Sequence, residues 1–421
     1  MEKKYDIVIV GGGMVGASLA LSLSRQMSKQ TRIALVESFS FPEQNYHFEK
    51  NYSPSFDARS TALSYSSQVI YSHLGLWSIL APRLCEIKSI NVSDRGHIGS
   101  VALHAEDSVW DALGYVVENA WLGQILIRQL QIEKKIELVS PATVSDVTSV
   151  AGATKIDVDQ NGHRYEMTAK LLVVADGANS ELRQKLGIQT NTRDYRQQAL
   201  MANVGLEQDH GNWAFERFTD SGPVAMLPLL DHDVEGHRAA LVWTLPTEYA
   251  EYLQSCGDEE FLTALCQRFG SRLGEFSRVG ARFCYPLKLV EAKEQVRSNV
   301  VIMGNAAHSL HPVAGQGFNL ALRDIAYLSS CLGIAQREGK VIGDLEVLLK
   351  YEQQRKLDQQ LTIGFSDKII ELFADQHLLT SLVRNMGLLV MDLIPEIKNS
   401  FVNHAAGQAS LAEWQYKEFK L

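Results

Sequence analysis

The chain has 421 residues, 46% of them apolar and 21% charged, with a formal net charge of -9. That length suits two interleaved or tandem domains, and an acidic balance without a dominant basic patch argues against nucleic acid as a partner. The five cysteines, Cys85, Cys256, Cys266, Cys284 and Cys331, form no CxxC pair; they read as free thiols in a reducing compartment, neither a disulfide framework nor a metal site.

In chain order, Lys3-Lys4 and the apolar stretch through Ser24 have the outline of a secretory signal. Asp6 and four glycines interrupt that stretch, and their spacing fits a nucleotide fingerprint better. The segment therefore reads as mature structure and the protein as cytoplasmic. No run is long and apolar enough to span a membrane. Tyr5 to Val10 predicts a buried strand, a helix runs from about Met14 to Met27, and Arg32 to Val36 is a second strand ending at Glu37. This is a βαβ unit carrying Gly11-x-Gly13-x-x-Gly16. Gly11 permits the tight turn, Gly13 lets backbone approach a pyrophosphate, and Gly16 lets helix and strand pack closely. The helix start at Met14 and Val15 offers free N–H groups and a positive dipole end. Glu37 stands where a carboxylate accepts from ribose hydroxyls, which favours an unphosphorylated ribose such as that of FAD or NAD.

Residues around 76–118 read as a sheet-like insertion. Lys170 to Ala175 is another short apolar strand, ending at Asp176-Gly177-Ala178-Asn179-Ser180-x-x-Arg183. A larger insertion spans about 186–290. Within it, Thr219 to Thr244 alternates and carries Gly222, Pro223 and Pro228, which predicts antiparallel strands and turns. Asn299 to Met303 is a third apolar strand, leading into the long segment from Gly304 to Asp324. There Asn305 can bond a polyol chain, Pro312 fixes the backbone of a loop, and Gly315 and Gly317 allow close approach of N–H groups at a helix start. Such a positive end suits an anionic reduced flavin. His308 and His311 stand three apart, but no nearby Cys, Asp or Glu completes a ligand set, so no metal is expected. Three such segments in this order read as the pieces of one FAD site. After about Leu345 the pattern is helical.

Together these segments resemble the group A FAD-dependent aromatic monooxygenases, the family of para-hydroxybenzoate hydroxylase. The resemblance runs to about residue 345 and more weakly beyond. Phe56-Asp57-Ala58-Arg59-Ser60-Thr61-Ala62-Leu63 is similar to the Asp-x-Arg-x-x-x-Leu segment of the ubiquinone-biosynthesis hydroxylases, where the Arg lies near the flavin. Ser93-Asp94-Arg95-Gly96-His97, Phe215-Glu216-Arg217-Phe218 and Gly222-Pro223-Val224-Ala225-Met226-Leu227-Pro228 resemble the branch acting on 2-octaprenyl-6-methoxyphenol. Two positions depart from the wider family. Asn305 replaces an Asp that bonds the ribityl chain, and Gln124 replaces an Arg at a helix start. Both departures also occur in that branch.

The resemblance implies an α/β fold with a Rossmann-type FAD-binding domain (1–75, 119–185 and 291–345). It is interleaved with a mixed β-sheet substrate domain (76–118 and 186–290) and followed by a helical C-terminal region (346–421). It implies non-covalent FAD contacts at Gly11, Gly13, Met14, Val15, Gly16, Glu37, Arg59, Gln124, Asp176, Gly177, Gly304, Asn305, Gly315, Gln316, Gly317, Phe318 and Asn319. Pro312, Gly315 and Gly317 would position backbone and stabilise flavin charge, and no side-chain nucleophile is needed. Tyr285 either lines the substrate side or packs within the sheet. NADPH is the implied reductant and dioxygen the co-substrate, with a flavin C4a-hydroperoxide as oxygen donor. The implied reaction turns 2-polyprenyl-6-methoxyphenol into 2-polyprenyl-6-methoxy-1,4-benzoquinol. A sister hydroxylase acting at another ring position, an FAD-dependent halogenase and a non-catalytic flavin-binding assembly protein are the alternatives. Other ubiquinone-biosynthesis proteins are the implied partners. The Leu-, Met- and Ile-rich stretch from Lys368 to Phe401 reads either as helices packed on the FAD domain or another subunit, or as a peripheral contact at the inner face of the membrane.

Overall fold

The computed structural model describes residues 3–42, 59–96, 100–232, 236–310, 315–374 and Gly407. Its first sheet has eight strands. Six form the path β18-β19-β11-β1-β2-β8, from Val296–Arg297, Val300–Ile302, His163–Val174, Lys3–Val10, Ile33–Val36 and Ile136–Val139. The ribbon β9 (Thr143–Val150) and β10 (Ala153–Gln160) continues antiparallel from β11. Strands β19, β11, β1, β2 and β8 are mutually parallel. A parallel sheet is covered on both faces, so the inner segments Ile7 to Val10, Ile33–Val36, Leu171 to Val174 and Val300–Ile302 are continuous apolar runs. Ile7 and Ile9 pack beneath α1 (Met14–Gln26), α4 (Asn119–Ile132) and α8 (Gln316–Arg337). Val8 and Val10 pack with Ile156, Val158 and Leu182 on the other side.

The second sheet has nine strands, eight of them in the path β20-β17-β12-β15-β14-β13-β5-β6. Their spans are His308–Ser309, Phe283–Ala292, Thr190–Leu206, Gly236–Pro246, Val224–His232, Trp213–Phe218, Ser89–Asp94 and Ser100–His104. The ninth, β16 (Phe276–Val279), pairs with β12. Helices α6 (Thr247–Ser255) and α7 (Asp258–Phe269) cover one face through Leu200, Val204, Leu241, Trp243, Phe261 and Leu265. The other face packs on a third sheet of β3 (Ser60–Ser64), β7 (Gly114–Glu118) and β4 (Leu84–Ile87), where Cys85 and Val116 meet Ala214, Leu229 and Ala240. A buried pair, Arg238 to Glu118 at 3.1 Å, bolts the second sheet to the third.

The predicted βαβ unit is present, with α1 ending one residue early. Met27 is already extended and donates its N–H to the Leu23 carbonyl. The strand expected over Lys170 to Ala175 is only the inner end of β11. Its outer end, His163 to Glu166, is exposed or half-buried because only β10 pairs there. The insertion at 76–118 is not all sheet: α3 (Trp77–Leu80) and a turn at Ala81–Arg83 open it. Its strands also divide, β5 and β6 joining the second sheet while β4 and β7 pair in the third.

The remaining helices are α2 (Tyr65–His73), α5 (Glu181–Lys185) and α9 (Leu345–Ala374). Among the described residues no helix is long and apolar enough to cross a membrane. Most of the apolar C-terminal stretch, including Leu378 to Ile394, lies outside the described residues, as do Phe56, Asp57, Ala58, His97, His311 and Pro312.

Candidate functional site

Four neighbouring parallel strands end side by side, and each carries a predicted residue just beyond its carboxyl end. In spatial order these are Gly304 after β19, Asp176 after β11, Gly11 after β1 and Glu37 after β2. Backbone bonds hold the ends level: Met303 N–H donates to Val174 O at 2.9 Å, Ala175 N–H to Val10 O at 2.8 Å, and Gly11 N–H to Val36 O at 2.9 Å. The carboxyl edge of such a sheet is where open α/β folds take their ligands.

Glycine chemistry explains how the strands turn there. Gly11 has φ +104°, and a Cβ on it would lie 2.3 Å from Ala175 O. A Cβ on Gly16 would lie 1.9 Å from Gly11 O. Over Gly13 and Gly317, by contrast, a Cβ would meet nothing within 4 Å. That open space lies over the first residues of two helices, α1 and α8. Neither helix start has a side-chain cap or an acidic residue in its first turn, so both leave their first N–H groups and positive ends for an anion. Met14 and Val15 of α1 and Phe318 of α8 pack on the rim of one core, and Val15 fills the space beside Gly304.

The polar groups fit the same reading. Glu37 Oε2 accepts the Gly12 N–H at 2.6 Å and Oε1 accepts the Phe39 N–H at 2.9 Å. The carboxylate is thus oriented while keeping lone pairs for a further donor. Asp176 Oδ1 is buried without a partner; Oδ2 accepts the Leu182 N–H at 3.5 Å. An orphaned acceptor of this kind fits a hydroxyl-bearing ligand. Asn305 is exposed on the turn Gly304–Ala306, and Gln124 is exposed on α4. Gly177, with φ +95°, also has open space above it. Asp176→Ala is expected to weaken FAD binding about tenfold, the value of one hydrogen bond to a charged group, with the apo protein melting unchanged. Flavin fluorescence titration checks the first and calorimetry the second.

Three residues of the third segment are fixed by the surrounding fold. Asn319 uses its whole amide internally: Oδ1 accepts from Ser64 N–H at 2.9 Å and Ser67 Oγ at 2.6 Å, and Nδ2 donates to Ala62 O at 2.9 Å and Gly315 O at 2.8 Å. Those bonds make its side chain a clamp that holds β3 against the start of α8. Gln316 is buried rather than presented, although its N–H lies in the first turn of α8. Gly315 is left-handed at φ +60°, with the Ala62 methyl 3.3 Å from any Cβ it might carry.

Other connections were invisible in the motifs. Arg183 donates to Ala306 O at 2.7 Å and to Ala178 O at 3.2 Å, tying the second glycine segment to the third. Arg59 Nη1 and the Tyr285 hydroxyl are 2.8 Å apart, across 226 positions of sequence. Tyr285 is therefore on the face of the second sheet that looks toward β3. His308 Nε2 lies 3.3 Å from Asp324 Oδ2 inside a buried cluster. There Arg355 Nε donates to Asp324 Oδ1 at 2.6 Å and Arg323 Nε to Asp358 Oδ2 at 2.8 Å. Burial pushes the Asp358 carboxyl up, but Arg323 and Arg355 outweigh it and hold it at about 2.

Comparison with known proteins agrees with this geometry. A family model described as an FAD binding domain matches residues 119–366. The ubiquinone hydroxylase UbiL of Rhodospirillum rubrum is 32% identical over 97% of this chain and 91% of its own. The 3-demethoxyubiquinol 3-hydroxylase of Escherichia coli is 29% identical over 96% of this chain and 98% of its own. Among solved structures, p-nitrophenol 4-monooxygenase PnpA from Pseudomonas putida superposes with a TM-score of 0.76 at 18% identity, covering 98% of this chain and 99% of that one. At that identity it speaks for the fold alone.

Proposed function

Because the chain belongs to the FAD-dependent hydroxylases of ubiquinone biosynthesis, and so is an FAD-dependent monooxygenase, we propose that it hydroxylates 2-polyprenyl-6-methoxyphenol para to the hydroxyl. The product is 2-polyprenyl-6-methoxy-1,4-benzoquinol. NADPH is the reductant and dioxygen the second substrate, and other proteins of the same biosynthesis are its partners. The observation that carries the reading is the Arg59–Tyr285 bond beside a half-buried apolar row, Ala225, Val242, Met201 and Phe283, on the face of the second sheet that looks toward the third.

Bound FAD supplies the redox chemistry that activates dioxygen for transfer to the ring. The chain's own residues do the rest. The open N–H groups over Gly13 take the pyrophosphate, Glu37 takes the ribose, and Asp176 and Asn305 take further hydroxyls. The start of α8 at Gly315 to Gly317 turns its positive end toward negative charge on the ring system. Arg59 and Tyr285 hold the entrance side, and the apolar sheet face excludes water and keeps the substrate ring in line.

Flavin-loaded protein should oxidise NADPH faster when a short-chain 2-prenyl-6-methoxyphenol is added, and a para-hydroquinone should form. Gly315→Val should cut that product by about 100-fold, the usual loss when a charge-stabilising donor is misplaced. Full activity in this variant would overturn the helix-start role. The name of the Escherichia coli relative favours a second reading, hydroxylation at another ring position; a hydroxyl found elsewhere on the ring would select it.

A further inference from the structure

Glu216 is a charged residue among apolar neighbours. On β13 it pairs with Val92 of β5 and Ala225 of β14. The same row continues through Val101 on one side and Val242, Met201 and Phe283 on the other. Paired residues share a face, so one carboxyl stands in a row of hydrocarbon. Alternation also says which face. Phe215 and Arg217, its chain neighbours, meet α7: Phe215 packs edge-on against Phe269, and Arg217 donates to Phe269 O. Ala214, two residues back, packs against Cys85 and Val116 of the third sheet. Glu216 therefore faces the space between the second and third sheets.

The same face of the second sheet carries part of the site, four strands along from β13. The row beside the one holding Glu216 runs Thr244, Ala199, Tyr285, and Tyr285 holds Arg59. The third sheet carries Ala62, whose methyl abuts Gly315 at the start of α8. Among the described residues the Glu216 carboxyl makes no hydrogen bond or ion pair. Burial alone pushes its carboxyl up to about 7, yet the residue as a whole is only half-buried. Since β13 lies inside the sheet between β5 and β14, its remaining exposure is to the space between the sheets. The titratable and charged groups sharing this face are Asp94 of β5, Cys85 of β4, Tyr285 of β17 with Arg59, and Arg238 of β15 paired with Glu118 of β7 at 3.1 Å. No sequence motif drew attention to this carboxylate beyond Phe215-Glu216-Arg217-Phe218, and the flavin contacts do not use it.

We propose that Glu216 is the base that takes the hydroxyl proton of the aromatic substrate. This rests on the reading that the substrate is a phenol. The phenolic O–H bond breaks and a carboxyl O–H bond forms on Glu216. The electron pair stays on the phenolate oxygen and raises the nucleophilicity of the ring carbon para to it. A base that ionises near neutral pH is matched to this task, and a desolvated carboxylate without a partner gains by accepting the proton.

The test uses FAD-loaded protein and the Glu216→Gln and Glu216→Asp variants. At neutral pH, Glu216→Gln should keep its flavin and lose about 100-fold in hydroxylation rate, while Glu216→Asp recovers part of it. A ring-fluorinated methoxyphenol, already ionised at mildly alkaline pH, should restore the Gln variant to near the wild-type rate. Equal rates in wild type and Glu216→Gln would overturn the proposal. So would a Gln variant equally slow on both phenols, which marks a structural role. Infrared difference spectra on binding 2-methoxyphenol give a readout free of turnover. A carboxylic-acid band present in wild type and missing in Glu216→Gln supports the assignment, and its absence from wild type sinks it. Wild type that shows the band but forms no hydroxylated product defeats the ring-hydroxylation reading and leaves the assignment of Glu216 standing.

Discussion

Arg355→Leu is expected to destabilise the protein by about 3–5 kcal/mol, the usual cost of removing one partner from a buried ion cluster. Arg355 is fully buried between α8 and α9, where it bonds both Asp324 and Asp358. Burial by itself would make both carboxyls harder to ionise. Arg355 and His308 reverse that for Asp324, and Arg323 and Arg355 together reverse it for Asp358, so both are held below the ordinary carboxylate range. Leucine fills similar space but leaves Asp324 with His308 at 3.3 Å and Gln359 at 3.1 Å, and Asp358 with Arg323 alone. The sign with pH follows from the direction of the shifts. Depressed carboxyls stabilise the fold above their unfolded values near 4. That contribution fades as pH falls through the folded value, about 2 for Asp358. The wild type should therefore lose its advantage over Arg355→Leu as the medium is acidified toward that value. Urea unfolding at neutral and acidic pH measures both. Equal midpoints at neutral pH would show that the cluster contributes specificity without net stability, as buried ion clusters sometimes do.

How much of this could be read in advance divides along physical lines. Strands buried on both faces write themselves as apolar runs, which is why Tyr5 to Val10 and the residues before Gly304 were legible. The glycine turns were legible for a related reason: Gly11 at φ +104° and Gly304 at φ +61° occupy conformations that L side chains rarely adopt. The third sheet was not legible. Ser60–Ser64 is short, small and polar, and its partner Gly114–Glu118 lies about fifty residues on, so its register is set only by tertiary contacts. Long-range polar pairs escaped for the same reason. Arg59 with Tyr285, and Arg238 with Glu118, have no local pattern that announces them. Asn319 shows the converse. It stands in the flavin segment, but a buried amide bonds whatever surrounds it, and here that is Ser64, Ser67, Ala62 and Gly315. A motif locates a residue near a ligand; only the contacts say whether its side chain is free to touch one.

Gly16→Val should abolish flavin binding and reduce stability by about 3 kcal/mol or more, at the severe end of overpacking. Even the Cβ would lie 1.9 Å from the Gly11 carbonyl oxygen. The obstacle is backbone, so no rotamer change relieves it. Gly11 cannot retreat, because a Cβ-sized displacement toward β11 meets Ala175 O and the strand ends are hydrogen-bonded there. The strain must instead lift α1 from β1, exposing Leu19 and Leu23, which are fully buried in the main core. Gly13→Ala is the matching control. Its Cβ would meet nothing within 4 Å of protein, so the apo protein should melt as the wild type does, while flavin affinity falls because the methyl occupies the approach to the helix start. Flavin absorbance per polypeptide, read beside apo melting curves, separates the two. If Gly16→Val kept both flavin and wild-type melting, the close packing of α1 on the glycine loop would have no energetic consequence. If Gly13→Ala kept full flavin affinity, the open space over Gly13 would not be where the phosphates lie, and the convergence of the four strand ends would need another ligand to explain it.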